Sequence, residues 1–336
     1  MKIFDEGLVS EILEERRGLQ RIRLDSGHLA FVLTDLLPAA MVGDRVVFNS
    51  SAIELGLGTG GSHIVHWNLS RSSNERPFDG HIMKARYTSL QHPRLMIEEQ
   101  YAEPSCDVNE RLMGKKVLTV GLHSQVGVAA IAAKIMQPSI EIGYVMTDGG
   151  SLPIALSDLV YRMTQENFIH HTVTAGQSFG GDYNSVSVEG GVAACFEYLN
   201  CDLVIVGMGP GVAGSGTALG NSALECAGIS MTLLGMGAKV RYAMRVSDAD
   251  ARERHRGVSH HSNTFVDLTT GRVPIVLPLG VAERIPAAQF IDVSEILPQL
   301  LSHPLLPMSM GRGPSEDEIF YAATLAAVKD LLSLDR

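Results

Sequence analysis

Between residues 255 and 261 the chain reads His255-Arg-Gly-Val-Ser-His260-His261, so three of its 12 histidines fall in one short stretch, preceded by Asp248 and Asp250. Imidazoles and carboxylates are the usual ligands of zinc and iron, which makes His255, His260 and His261 candidate ligands of a divalent metal. The spacing matches no standard zinc pattern. Adjacent residues point apart on a helix or strand, so only one of His260 and His261 is expected to join His255. The other use of these rings is acid–base: His255 or His260 can move a proton near neutral pH. Arg241, Arg245, Arg252, Arg254 and Arg256 crowd the same region, and Arg256 is the candidate clamp for an anionic ligand.

A second concentration is glycine. Gly207-Met-Gly-Pro-Gly-Val-Ala-Gly-Ser-Gly-Thr217 sets Gly207, Gly209, Gly211, Gly214 and Gly216 directly after an apolar run, with the hydroxyls of Ser215 and Thr217 among them. Backbone freed of side chains presents N–H groups that can cradle phosphate or carboxylate. Gly209-Pro-Gly-Val-Ala-Gly214 formally matches the dinucleotide Gly-x-Gly-x-x-Gly pattern. A proline inside the turn and the lack of a clear acidic residue about twenty positions on weaken that match. No Gly-Lys-Ser/Thr follows, so it is not a Walker loop.

Such loops need a scaffold to bring them together. From Lys116 onward, apolar runs at 116–120, 140–146, 169–174 and 202–207 each end in a polar or glycine-containing loop followed by apolar residues at helical spacing. That rhythm predicts an α/β domain, a mainly parallel sheet with crossover helices. In such sheets ligands sit outside the carboxyl ends of the strands. His123, Ser124 and Gln125, then Asp148 with Gly149 and Gly150, then Gln177, Ser178 and Asp182, should therefore share one rim with the glycine loop. His123, Asp148 and Asp182 join the histidines as catalytic candidates, the two aspartates as orienting carboxylates or metal ligands. Ser124 and Gln177 join the glycine loop as ligand-binding candidates. Ser124 is also the expected N-cap of a helix over 126–136, Ser151 with Pro153 the start of the next, and Ser315 with Glu318 a capping box opening the last.

The first part of the chain reads differently. Short β-type runs at 8–12, 19–24, 28–33, 45–49 and 63–67, with Asp25-Ser-Gly27 as a hairpin turn, predict a small β-barrel of the OB or SH3 kind. The expected division is a barrel over 1–70, a polar connector over 71–114 and the α/β domain with a C-terminal helix over 115–336.

A 45% hydrophobic, 19% charged composition is that of a globular chain. The net charge of −10 argues against nucleic acid as a general partner. No uninterrupted apolar run of about 18 residues predicts a membrane span. Acidic residues close to Met1, no signal-like apolar core, and four cysteines without a Cys-x-x-Cys pair predict a cytoplasmic protein with reduced thiols. A homodimer is the base-rate expectation.

Three motifs carry a resemblance over nearly the whole chain: Gly80-His-Ile-Met-Lys-Ala-Arg-Tyr-Thr-Ser-Leu-Gln91, Gly207 to Thr217, and Arg254-His-Arg-Gly-Val-Ser-His-His261. Together they resemble the bacterial domain-of-unknown-function family 3866. The resemblance implies a bacterial, cytoplasmic origin and brings no catalytic residue with it. The residues themselves point first to an enzyme acting on a small anionic metabolite, phosphorylated or nucleotide-like among the options. A non-catalytic sensor or assembly module is the alternative, and an RNA-associated protein working through the barrel is the weaker one.

Overall fold

The computed structural model describes residues 3–57, 60–71, 79–102, 104–281 and 285–334. Met1, Lys2 and, within the expected connector, residues 72–78 and 103 lie outside the described residues. The chain divides into two compact units after Arg94.

In the first unit, β1 (Phe4–Arg16), β2 (Leu19–Leu24), β3 (Leu29–Val32), β4 (Arg45–Asn49) and β5 (Ser62–Asn68) close a barrel in the order β1-β2-β3-β5-β4. All pairs are antiparallel except β3 with β5. Alternation explains the closure: Ile22 and Leu24 on β2 are buried with Val9, Ala30, Val32, Val46, Phe48 and Val65, while Arg21 and Arg23 between them stay partly exposed. The turn after β2 carries Gly27 at a φ of +85°, a left-handed conformation that favours glycine. A short helix α1 (Ser51–Glu54) links β4 to β5, and the hairpin of β6 (Ile82–Lys84) and β7 (His92–Arg94) ends the unit.

The second unit is the expected α/β domain. Its strands and first helices are β8 (Lys116–Val120), α2 (His123–Met136), β9 (Ile142–Thr147), α3 (Asp158–Gln165), β10 (His171–Ala175), β11 (Tyr183–Ser185), α4 (Val188–Glu197), β12 (Leu203–Met208), α5 (Glu225–Gly235) and β13 (Lys239–Ala243). The six strands are all parallel, in the order β11-β10-β9-β12-β8-β13. Every residue of β9 and β12 is buried, as strands covered on both faces require. A ribbon of β14 (Val246–Ser247) and β15 (Gly257–Val258) follows, then α6 (His260–Thr269), the parallel pair β16 (Val276–Pro278) and β17 (Gln289–Ile291), α7 (Leu297–Leu301) and α8 (Glu318–Ser333). Helices α2, α3 and α8 pack on one face of the sheet, against Leu118, Tyr144 and Ile205. Helices α4, α5 and α6 pack on the other, against Val117, Val145 and Val206. Neighbouring strands β9 and β12 thus send the chain to opposite faces, which opens a crevice between their carboxyl ends.

Three helix starts differ from expectation. Helix α2 begins at His123, its N-cap is Leu122, and the Leu122 N–H donates to Gln125 Oε1 at 3.0 Å. Ser124 lies inside the first turn, and its hydroxyl donates to Ser309 Oγ at 3.0 Å instead of capping. Helix α3 begins at Asp158, not near Ser151, because a 3-10 turn over Ile154–Leu156 intervenes and Ser157 accepts the Val160 N–H at 2.9 Å. Helix α8 begins at Glu318 with Asp317 at the cap position, so Ser315 opens nothing.

Candidate functional site

The crevice between β9 and β12 is built by close backbone approach. A Cβ at Gly149 would collide with the Glu225 carboxylate, and one at Gly150 would stand 2.5 Å from Gly209 O. Small residues there let the loop after β9, the glycine loop and the first residue of α5 meet. Thr147 Oγ1 donates to Glu225 Oε1. Burial, with the neighbouring charge of Asp148, pushes the Glu225 carboxyl up to about 7. Asp148 is fixed by the Gln177 N–H, which donates to its Oδ2 at 2.9 Å. Glu225 was not a sequence candidate; its one mark is being the first residue of a helix that follows a rim loop.

The expected partners on this rim behave differently from one another. His123 Nδ1 lies 3.0 Å from Met208 O and its Nε2 2.6 Å from Ser157 Oγ. With Nδ1–H donating to the carbonyl, Nε2 accepts from the hydroxyl, and burial holds the ring's pKa down at about 4. His123 is therefore a neutral strut holding the end of β12 to the start of α3. Asp182 is not brought to the rim. Because β11 runs parallel to β10 with Tyr183 opposite Val173, the loop between them must return to the amino end of the sheet. There Asp182 accepts the Thr172 N–H at 3.0 Å and the Thr172 hydroxyl at 2.8 Å.

The glycine loop divides in two. Gly207 and Gly209 are packing positions: a Cβ would stand 2.8 Å from Val120 O at the first and 2.7 Å from Ser151 O at the second. Beyond Pro210 the loop is largely exposed and folds on itself. Ser215 N donates to Gly220 O at 2.7 Å, Gly220 N to Thr217 Oγ1 at 3.1 Å, and the Ser215 and Thr217 hydroxyls lie 3.0 Å apart. Gly211 and Gly216 take φ values of +101° and +85° in open space. The N–H groups of Gly211, Val212 and Gly214 meet no acceptor among the described residues. The loop reaches Asn221 before a 3-10 turn and then α5 begin, so the Gly-x-Gly-x-x-Gly match opens no helix and lacks the dinucleotide context.

The histidines converge, against expectation. Ring centroids lie 4.8 Å apart for His255 and His260, 4.9 Å for His255 and His261, and 4.4 Å for His260 and His261. One ring nitrogen of each lies within 4.8 Å of those of the other two. His260 and His261 are the first two residues of α6, where consecutive side chains diverge by about 100° and not by the full alternation of a strand. The β14–β15 ribbon folds His255 back onto them. Ser259 caps α6 by accepting the His261 N–H at 3.3 Å, and its hydroxyl also lies 2.7 Å from His255 Nδ1. His260 Nε2, His261 Nδ1 and Asn221 Oδ1 are buried without a hydrogen-bond partner. A Cβ at Gly214 would lie 3.7 Å from both the Asn221 Cβ and His261 Nε2, so the glycine loop and the histidine cluster meet there.

A buried ion network backs the cluster. Asp250 accepts from Arg245 at 2.9 Å, Arg252 at 3.0 Å and Arg312 at 3.4 Å, while Arg312 also donates to Asp317 at 2.9 Å. Burial, then the charges of Arg245 and Arg252 and the neighbouring ring, hold His255 down at about 3 and His261 at about 4, so both are neutral at pH 7, and burial with the charge of Arg254 lowers His260 as well.

The family model described as "Protein of unknown function (DUF3866)" matches residues 29–328. The chain belongs to this family. No curated protein matches it.

In this DUF3866 chain the matched stretch takes in the Asp148–Glu225 crevice, the glycine loop and the histidine cluster. Arg256 is exposed beside the cluster, whereas Arg241 is drawn to Asp330 on α8. A cavity of about 780 Å³ lies elsewhere, among Tyr101, Arg111, Tyr198 and Met236 beside α4 and α5, and contains none of the candidate residues. Its Arg111 is already held by both oxygens of Glu197. Among the described residues no helix is long and apolar enough to cross a membrane.

Proposed function

We propose that the chain is an enzyme that acts on a small anionic metabolite in the crevice between β9 and β12, with Glu225 as its general acid or base. The observation that carries this reading is the Glu225 carboxyl, raised to about 7 beside Asp148 at the carboxyl ends of two strands that leave for opposite faces. A carboxyl poised near neutrality can both hold and release a proton at working pH, which is what proton transfer in a transition state requires. The free N–H groups around Gly211 and Gly214, with the exposed Arg254 and Arg256 flanking His255 of the adjoining cluster, support an anion as the group recognised. Arg21, Arg23 and Arg45 of the barrel pair with Glu14, Glu11 and Glu6, which weighs against a phosphate-binding track there.

The test is to incubate the purified protein with a panel of phosphorylated and carboxylated metabolites and follow their consumption by mass spectrometry. At least one should be consumed, with a rate inflection near pH 7. Glu225→Gln should lower that rate by about 100-fold or more while the same compound still shifts its melting temperature. Consumption unchanged in Glu225→Gln, or no compound consumed, would remove the assignment.

A further inference from the structure

The geometry points to a transition-metal site formed by His255, His260 and His261, with the Asn221 side-chain oxygen completing the protein donors and a divalent ion of the zinc class as the ligand. Buried polar atoms in folded proteins are nearly always hydrogen-bonded, because an unpaired one forfeits its hydration for nothing. Here two ring nitrogens of the cluster and the amide oxygen of Asn221 are buried and unpaired, and Asn221, through its Cβ, and His261, through its Nε2, both stand beside Gly214. His255 is 2% exposed, His261 8% and Asn221 9%, so these three are interior groups, and His260 beside them is half-buried.

The donor chemistry selects the ion. Three imidazoles and an amide oxygen suit zinc, cobalt or nickel, and do not suit calcium or magnesium, which prefer carboxylates and water. Each nitrogen has an assigned task. His255 Nδ1 is held at 2.7 Å by Ser259, so its Nε2 is the ligating atom, in the way that a second partner commonly orients a metal-bound imidazole. His260 ligates through Nε2 and His261 through Nδ1, the two orphaned atoms. Nitrogens on a tetrahedral ion stand about 3.3 Å apart. One ring nitrogen of each histidine already lies within 4.8 Å of those of the other two, so side-chain movements of about 1 Å bring the rings to that spacing.

The surrounding charge fits a metal that takes an anion as its exchangeable ligand. Asp250 and Asp317 balance two of the three charges of Arg245, Arg252 and Arg312, so a net positive charge remains near the imidazoles, while the glycine loop lies beside them at Gly214. This site does not rest on the role of Glu225, and metal content reads it without any turnover.

The experiment strips the full-length protein with a chelator, then titrates it with Zn²⁺ by calorimetry and with Co²⁺ by visible absorption. About one equivalent should bind, with the d–d bands of a nitrogen-rich, four- or five-coordinate cobalt ion. X-ray absorption of the zinc form should show three imidazoles at about 2.0 Å. His261→Ala and His255→Ala should each weaken binding by about 100-fold or more, and Ser259→Ala by about 10-fold, with unchanged circular dichroism. The measurements on unaltered protein decide the matter even if a variant fails to fold. Failure of the unaltered protein to bind either ion, or affinities within threefold of it in both folded histidine variants, would overturn the site. So would inorganic phosphate binding to the metal-free protein that is lost in His260→Ala, since the rings would then be anion donors.

Discussion

The glycine loop and the histidine cluster touch at Gly214, yet they treat their polar groups in opposite ways. Past Pro210 the loop is exposed, and Ser215, Thr217 and Gly220 satisfy one another. In the cluster His255 and His261 are buried and His260 half-buried, and His260, His261 and the adjoining Asn221 each leave a buried atom without a partner. An exposed polar group can always turn to water, so its presence commits the protein to nothing. A buried unpaired one costs about 1–3 kcal/mol and persists where binding or chemistry makes use of it. Local concentration of one residue type marked both regions in the sequence; burial separates them.

The strongest blow to the cluster's side of this comparison is Asp250→Ala. It leaves Arg245, whose side chain is 4% exposed, as a buried cation with its carboxylate gone. Unfolding free energy from urea denaturation should fall by about 3–5 kcal/mol. A fall below about 1 kcal/mol would mean that the arginines do not brace the histidines. On the loop's side, Gly207→Ala should cost about 2–3 kcal/mol, because its methyl would press on Val120 O, a backbone atom that cannot swing away. Gly211→Ala should cost only about 1 kcal/mol, the strain of a left-handed alanine in open space. Equal losses in that pair would erase the division of the loop into packing and free halves.

The smallest effect is the most diagnostic of the crevice. Glu225 has a folded pKa raised from 4.5 to about 7, so its contribution is fully present below 4.5 and is lost as pH rises through 7. Glu225→Gln mimics the protonated form. It should be more stable than the unaltered protein by about 2 kcal/mol at pH 8, with the difference closing near pH 5. A difference independent of pH would place the carboxyl in solvent and separate it from Asp148.

Much of the scaffold was legible. Period-two alternation in residues 19–24 and uninterrupted apolar runs such as 203–206 can satisfy burial in few ways, so the barrel and the parallel sheet follow from pattern alone. Helix starts were less legible at Ser124, Ser151 and Ser315. A hydroxyl caps a helix only if it reaches the free N–H groups, and Gln125 and Ser157 reached them first at α2 and α3. Asp182 was misplaced because a loop's length does not say that it returns to the amino end of the sheet. Glu225 carried no local signal, since its raised pKa comes from burial and from the charge of Asp148, which tertiary packing brings to it from a distant part of the sequence.

By itself, the sequence determined which residue types were available: a strand-loop-helix rhythm that had to place loops on one rim, glycines that allow backbones to touch, and imidazoles clustered between 255 and 261. The tertiary structure decided which of those groups lose their water and which neighbours they face when they do. That choice sets His123 as a strut, Asp182 as a brace, Glu225 as a poised carboxyl and the three histidines as converging donors. Proton affinity and hydrogen-bond satisfaction depend on burial and on charges within a few ångströms, and local sequence specifies neither.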